Sequence, residues 1–534
     1  MSDSGKSDDG KHDIGSIHSS VAKPPRRRSS LAAARESTAV VVHKIDDKLD
    51  AYERETVPDD QYKGFLSFLG LFTSRHTAGT EFAIGPLFVA RGSSAIDILV
   101  GLFIGNFLAT LSWRFIVAPL AVSQRLTAYY AMERVVGRKL IMVFDSLTFI
   151  LLAGLAGAMF TVSATAFAAM FNVDSPELTD MLPSSGRFCG IVIACGLVTT
   201  IVSALGFTFV TLFGQIMTPV LFAGIIYLCY NSLKMLGVGE DGCDLWCILN
   251  EQVYTGTIVQ GQTRFGMAHC IFFAWFVDLQ LHIGQNDLSM LRFARNANIG
   301  WTSAGGMYVG HYFAWITAGI MYAVQLKEDP ENTSVAPGPI AKLVGVCWST
   351  ANPVIYSSGL ALQHIFPQIH AWSSTIIVGL LSTAVACFPA ITNRIIEFLA
   401  LAGIILCPMG VIVFTDHFVF PRINGFRSEF AYHHRLNEES CHVTNWPAVI
   451  TWATAEILSL PLALLTPVSV YFAPIITIPY SFAVFVGLTK LFVSKGWMKY
   501  KDEEVLPEDD EDDDGDKTHA SIDKSEARSE ECEA

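Results

Sequence analysis

Asp287-Leu288-Ser289-Met290-Leu291-Arg292-Phe293-Ala294-Arg295-Asn296 is the stretch on which the reading of this chain turns. It closes an apolar segment that begins near Gly266. Arg292 and Arg295 are spaced one helical turn apart. Cations in that position favour the C-terminal end of a helix and the cytoplasmic side of a membrane. Asp287, Arg292, Arg295 and Asn296 therefore read as a structural motif ending a membrane helix.

The rest of the composition agrees. Hydrophobic residues make up 51% of the 534 and charged residues only 16%. A soluble domain carries about a quarter charged residues. The charges are also segregated. Residues 1–60 are polar with a basic run at Arg26-Arg27-Arg28, and residues 496–534 are dominated by Asp and Glu. Both read as disordered, solvated tails flanking a transmembrane body over 61–495. The net charge of -14 thus describes mainly the tails. No apolar run occupies the first 60 residues, so no cleavable signal peptide is expected. Most of the 11 cysteines fall in apolar runs and read as small core residues. Cys243 and Cys247 sit in a polar loop, where a disulfide is conceivable. There is no Cys-x-x-Cys zinc pattern.

Apolar runs of about 20 residues cross the hydrocarbon core of a bilayer. Twelve helices are expected, near 64–88, 95–120, 138–171, 186–205, 207–235, 266–289, 299–325, 338–366, 371–389, 395–420, 444–465 and 468–493. Loops after the second, sixth and tenth carry Arg and Lys, including Arg125, Arg134, Arg292, Arg295 and Arg427. Loops after the third, fifth and seventh are acid-rich, including Asp174, Glu240, Asp244 and Glu328. The positive-inside rule then makes both termini cytoplasmic. The sequon Asn332-Thr333-Ser334 falls on the outer side, where Asn332 is a glycosylation candidate.

Two of these helices are interrupted. Arg75-His76-Thr77-Ala78-Gly79-Thr80-Glu81 breaks the first, and Asp278, Gln280, His282, Gly284 and Gln285 break the sixth. Interrupted helices in corresponding positions of two halves point to a transporter binding site, because broken backbone is tolerated at membrane depth only where protein or a cavity lines it. The pairing of helices 1–5 with 6–10 is positional, since no internal sequence identity is evident between the halves.

The wording of the opening stretch resembles the D-F-T-R-F-A-R-N signature that closes the sixth helix of the nucleobase:cation symporter family, which includes the purine-cytosine permeases and hydantoin transporters. Four further segments are similar to that family. They are Ile104-Gly105-Asn106-Phe107-Leu108, Trp348–Leu360, Pro408–Phe418 and Asn445-Trp446-Pro447-Ala448 through Ala453. The resemblance covers most of residues 64–490. It implies an all-α integral membrane protein of the LeuT-like class, with two inverted five-helix repeats plus two C-terminal helices, working by alternating access. It also implies a sodium site between the first and eighth helices, with Ser349 and Thr350 matching the hydroxyl pair and carbonyls coming from within 80–84. The alternative for Ser349 and Thr350 is hydrogen bonding one turn back along their own helix.

A flat heterocycle takes aromatic stacking on its faces and amide or carboxylate groups along its edge. Here the sequence departs from the family. Leu155 stands where the third helix usually carries Trp. On the sixth helix the aromatic position falls on Asp278, with Trp275 and Phe276 close by. Asn352 is a candidate edge amide. Glu81 and Asp278 are the sharpest features, since a carboxylate at mid-membrane costs about 2.5–3.5 kcal/mol and needs a partner or a function. They could hold a cationic substrate, take up a proton or grip ring N–H groups. Alternatively Arg75 or His76 neutralises Glu81. His269, His282, His311 and His364 are scattered in sequence, and His433-His434 lacks repeated histidine boxes, so metal chemistry is not expected. No nucleophile constellation of an enzyme is present. The functional expectation is a plasma-membrane symporter that imports a nucleobase or related small nitrogenous heterocycle, probes lipid and small solute rather than nucleic acid, has no cofactor beyond its coupling ion, and is coupled to sodium. The alternatives are a proton-coupled porter of a cationic or vitamin-like solute and a non-transporting sensor on the same fold.

Overall fold

The structure is a computed structural model, and its described residues are 52–77, 81–176, 182, 185–240, 242–261, 263–282, 287–335, 351–388, 390, 395–423, 444–465 and 472–497. Among them there is no β-strand, only the isolated bridges Lys63–Ala294 and Ser94–Thr255. Six helices among the described residues are long and apolar enough to cross a bilayer, and the chain is an integral membrane protein. In hydrocarbon each backbone N–H and C=O needs a partner within the segment, which is why the apolar runs become helices.

The first span is two helices, α1a (Phe65–His76) and α1b (Glu81–Ala90). The second, α2 (Ala95–Ser112), starts on a capping box in which Ser94 and Asp97 satisfy each other's backbone N–H. It runs on through a π-helical segment, Trp113–Val117, into a tail, Ala118–Gln124. A short helix, Ala128–Val136, precedes α3 (Arg138–Met170). Then follow α4 (Gly186–Ala204) and α5 (Phe207–Leu236). Along the sixth span the described residues form α6a (Met267–Leu281) and α6b (Asp287–Leu291). The seventh opens with the single turn Ser303–Gly305 and a π-helical segment, Gly306–Phe313, before α7 (Ala314–Glu328). The remainder are α8 (Ala351–Ile365), α9 (Ala371–Ala386), α10 (Ile395–Phe414), α11 (Trp446–Leu465) and α12 (Pro474–Ser494).

The packing repeats when each helix number is raised by five. α1a lies on the first part of the seventh span and α1b on its second part. Correspondingly, α6a lies on the first part of α2, and α6b on its tail. α1a also packs on α5 as α6a packs on α10, and α3 meets α9 as α8 meets α4. At the α4–α9 contact the relation reaches the residue level. A Cβ on Gly196 would stand 2.1 Å from Thr383 Oγ1, and one on Gly379 would stand 2.1 Å from Thr200 Oγ1. Gly196-Leu197-Val198-Thr199-Thr200 and Gly379-Leu380-Leu381-Ser382-Thr383 are thus reciprocal copies of one contact, an internal likeness that the reading of the whole halves overlooks.

Two ends of the molecule collect different loops. At one end Lys63 N–H donates to Phe293 O at 2.7 Å, Val57 N–H to Arg125 O at 3.1 Å and Asn445 Nδ2 to Val135 O at 2.9 Å. Among residues 52–60, expected in the tail, Glu53 and Val57 are buried there. At the other end Val259 N–H donates to Ala90 O at 2.9 Å, Lys327 Nζ to Met235 O at 3.1 Å, and Cys243 and Cys247 form a disulfide.

The opening motif differs from its sequence reading. α6b stops at Leu291, so Arg292 and Arg295 do not share a helical face. Arg292 is buried, donating from Nη1 to Tyr52 O at 2.6 Å and from Nε to Ser289 O at 3.0 Å. Arg295 and Asn296 are exposed. The carbonyl of Arg292 is gripped by Arg125 Nη1 at 2.8 Å. The motif is a strap held by backbone groups, because a strand that leaves a helix end must find new partners for its N–H and C=O groups.

Candidate functional site

The two interrupted spans meet through their ends. Arg75, in the last turn of α1a, forms a buried salt bridge with Asp287, the first residue of α6b. Trp113 Nε1, from the π-helical segment of the second span, donates to Asp287 Oδ2 at 2.8 Å. His282 Nδ1 lies 3.1 Å from the same oxygen and 3.1 Å from Arg75 Nη2. A carboxylate surrounded by guanidinium, indole and imidazole in a dry interior is well compensated, whereas either charge alone there is costly.

A second carboxylate pair sits beside it. His311 stands between Glu81, the first residue of α1b, and Asp278 in the last turns of α6a. Its Nε2 is 3.7 Å from Glu81 Oε2, and its Nδ1 is 3.4 Å from Asp278 Oδ2. Trp315 Nε1 donates to Glu81 Oε2 at 2.6 Å, and the Trp315 ring stacks on His311 at 4.5 Å between centroids. His282 Nε2 is 3.9 Å from Asp278 Oδ1, linking the two groups. His76 completes the cluster, its ring 5.1 Å from His282 and 5.0 Å from His311.

Local sequence explains the closeness. His311 lies in the π-helical segment Gly306–Phe313, and such widened turns re-aim side chains at functional sites. Gly306 and Gly310 make room for the end of α1a. A Cβ on Gly310 would come 2.3 Å from His76 O, and one on Gly306 would come 2.6 Å from His76 Nδ1.

The sequence-derived candidates divide. Glu81 and Asp278 are brought together, bridged by His311. Arg75 pairs with Asp287 and not, as the sequence suggests, with Glu81. Trp275 and Phe276 stack on each other at 5.2 Å, and Trp275 Nε1 donates to Ser112 Oγ at 3.0 Å. Both line an apolar cavity of about 380 Å³ shared with Val411 of α10 and Phe482 of α12. Leu155 is buried with Ala351, Val354 and Ile355 between α3 and α8. Asn352 lies against α4, where Ser203 Oγ is 3.1 Å from its carbonyl oxygen and 3.3 Å from Oδ1. Ser349 and Thr350 lie outside the described residues. The histidines that look scattered in sequence are the ones missed: His282 and His311 converge with His76. For His76 and His282, their place within the interrupted stretches is the signal that could have flagged them; no such signal marks His311.

The architecture has known counterparts. Mhp1, a nucleobase-cation-symport-1 family transporter in a closed conformation with bromovinylhydantoin bound, superimposes with a TM-score of 0.57 at 15% identity, over 82% of this chain and 95% of that one. An inward-facing conformation of Mhp1 gives 0.55 at 14% identity over 82% and 93%. A substrate-bound, outward-open Na+-coupled sialic acid symporter gives 0.58 at 13% identity over 86% and 96%. The fold is the LeuT-like one. At these identities the likeness concerns fold alone. No protein-family model and no curated protein matches the sequence. The buried cluster lies where α1a, α1b, α6a, α6b and the seventh span come together.

Proposed function

We propose that the protein is a secondary active transporter that carries a small nitrogenous heterocycle of the nucleobase or hydantoin kind together with a coupling cation, by alternating access. One observation supports this reading above the others: around the ends of α1a, α1b, α6a and α6b the buried Arg75, Glu81, Asp278, Asp287 and His311 cluster with the half-buried His282. Charged groups at membrane depth mark substrate and ion pathways, and discontinuous helices place such groups where one bundle can rock against another. The five sequence segments similar to the nucleobase:cation symporters favour the heterocycle. Ser349 and Thr350 favour sodium as the coupling ion. Asp278 and Glu81 are the residues proposed to meet ring N–H groups, and Asn352, Trp275, Phe276 and Leu155 are secondary candidates. The plasma membrane, with both termini cytoplasmic, is the proposed setting.

The test is uptake by cells expressing the full chain, across cytosine, uracil, adenine, hypoxanthine, allantoin, hydantoins and thiamine, in sodium and in choline buffer. Concentrative, sodium-dependent uptake of a heterocycle is the expected result. Uptake equal in both buffers but abolished by a protonophore would replace sodium by the proton. No accumulation of any solute by correctly inserted protein would favour a sensor. Asp278→Asn separates substrate types further. A neutral base read by hydrogen bonds should lose roughly ten- to a hundredfold in affinity, the worth of a charge-assisted hydrogen bond. A cationic solute should lose binding almost entirely.

A further inference from the structure

We infer that His76, Asp278 and His311 form a binding site for a divalent first-row transition-metal cation. One ligand atom from each residue lies within 4.8 Å of the others. Around an ion with bonds of about 2.0–2.2 Å, ligand atoms lie no more than roughly 4.4 Å apart, so the three need only a small closing movement. The three side chains come from α1a, α6a and the π-helical segment of the seventh span, elements that the fold brings to one point.

Burial and unmet bonding potential point to a ligand independently of the spacing. His76, Asp278 and His311 are 3%, 1% and 4% exposed. Both Asp278 oxygens, His76 Nε2 and His311 Nδ1 complete no hydrogen bond among the described residues. Buried polar groups are nearly always satisfied, and Asp278 has only the long approaches of His311 at 3.4 Å and His282 at 3.9 Å.

The surroundings have the arrangement that metal-bound imidazoles require. A ligating histidine donates its other N–H to a carbonyl or carboxylate, which fixes the tautomer and raises the basicity of the free nitrogen. His76 does this through Nδ1, 2.9 Å from Phe72 O, leaving Nε2 for the ion. His311 has Glu81 Oε2 at 3.7 Å from Nε2, leaving Nδ1 facing Asp278. Charge also balances. Arg75 and Asp287 neutralise each other. Asp278 and Glu81 then supply two negative charges, matching a divalent ion bound by neutral imidazoles. Two imidazoles with one carboxylate suit Zn²⁺, Fe²⁺, Co²⁺, Ni²⁺ or Mn²⁺, whereas Mg²⁺ and Ca²⁺ prefer all-oxygen shells. The test reads binding of the ion to the protein and not transport of a solute, so it is separate from that of the heterocycle reading; an ion held here occupies Asp278 and Glu81 and leaves ring recognition to Asn352, Trp275 and Phe276.

Purified full-length protein, stripped with chelator and checked for monodispersity, is titrated with Zn²⁺, Mn²⁺ and Mg²⁺. The expected result is one tight site for Zn²⁺ or Mn²⁺, no equivalent for Mg²⁺, and imidazole scattering in the X-ray absorption spectrum of the metal-loaded protein. Glu81→Gln, behind His311, should weaken binding about 10–100-fold, and Asp278→Asn should weaken it further. His269→Ala, which removes a histidine stacked on Phe265 away from the cluster, should leave it unchanged. Sealed proteoliposomes distinguish two sources of the same chemistry: accumulation of the ion makes it cargo, and binding without accumulation makes it resident. An all-oxygen spectrum would overturn the proposal even if the variants fail to fold, since it is read on the wild type. Binding that survives both substitutions would assign the ion to the acidic tail and also overturn it.

Discussion

Arg75 and Asp287 show how one residue pair can join two halves of a helical bundle. The pair closes the junction between α1a and α6b, and Trp113 and His282 share the same carboxylate. Removing either partner strands a buried charge, which costs about 3–5 kcal/mol. Asp287→Asn and Arg75→Met should each lower the thermal unfolding midpoint of detergent-purified protein strongly. The double variant should recover part of the loss, because it removes both charges. Simple additivity of the two losses would mean that the pair does not interact as described. Asp287 was legible as part of a motif, but its partner was not. Arg75 and Asp287 are separated by 212 positions, and no local pattern relates them.

At the scale of helices, close approach depends on what a side chain would displace. Gly310→Val would push atoms into His76 O, a backbone atom that cannot rotate away. Overpacking of this kind costs about 1–3 kcal/mol, and it should shift α1a away from the seventh span. The expected readout is folded protein with transport and metal binding lost together. Transport and binding at wild-type level would show that the junction tolerates the displacement. Helix 8 carries the second prediction of this scale. Replacing Ser349 and Thr350 by Ala removes two oxygens while keeping helix propensity. Uptake should then require more sodium, with little change in saturating rate. A uniform loss at every sodium concentration would count against these residues as ion ligands. A further cluster binds elements at the opposite end of α3. His364 of α8 contacts Asp145 of α3 and, at 2.8 Å, Glu133 of the short helix Ala128–Val136, which Arg138 also approaches at 3.3 Å. Its histidine, like those of the central cluster, becomes meaningful only through packing.

For the whole molecule, the described residues of the basic loops after the second and sixth spans hold one another at one end, and those of the acidic loops after the fifth and seventh spans at the other. On the proposed topology the end bearing residues 52–63, 125–136 and 292–296 faces the cytoplasm. Asn332 should then be modified by glycosylation in a eukaryotic host, and a cysteine replacing exposed Arg295 should resist a membrane-impermeant thiol reagent in intact cells. Labelling of Arg295→Cys from outside would invert the topology. The pseudo-symmetric packing, with α1a and α1b on the seventh span as α6a and α6b lie on the second, is the arrangement that the proposed alternating access would use.

The sequence by itself determined the membrane class, the approximate spans and the charged stretches that interrupt their apolar runs. These depend on hydropathy over about 20 residues and on charges placed within it, both of which are local properties. It also placed Glu81 and Asp278 at the two interruptions. Tertiary structure alone decided what surrounds them. His76, His282 and His311 lie on three separate stretches, and Gly306, Gly310 and a widened turn bring them within reach of one another. The same holds for Arg292, whose charge looked like a solvent-facing helix end and is instead buried against Tyr52. Partners across long sequence separations are fixed by packing of whole helices, and such packing leaves no periodic trace in the residues that end up touching.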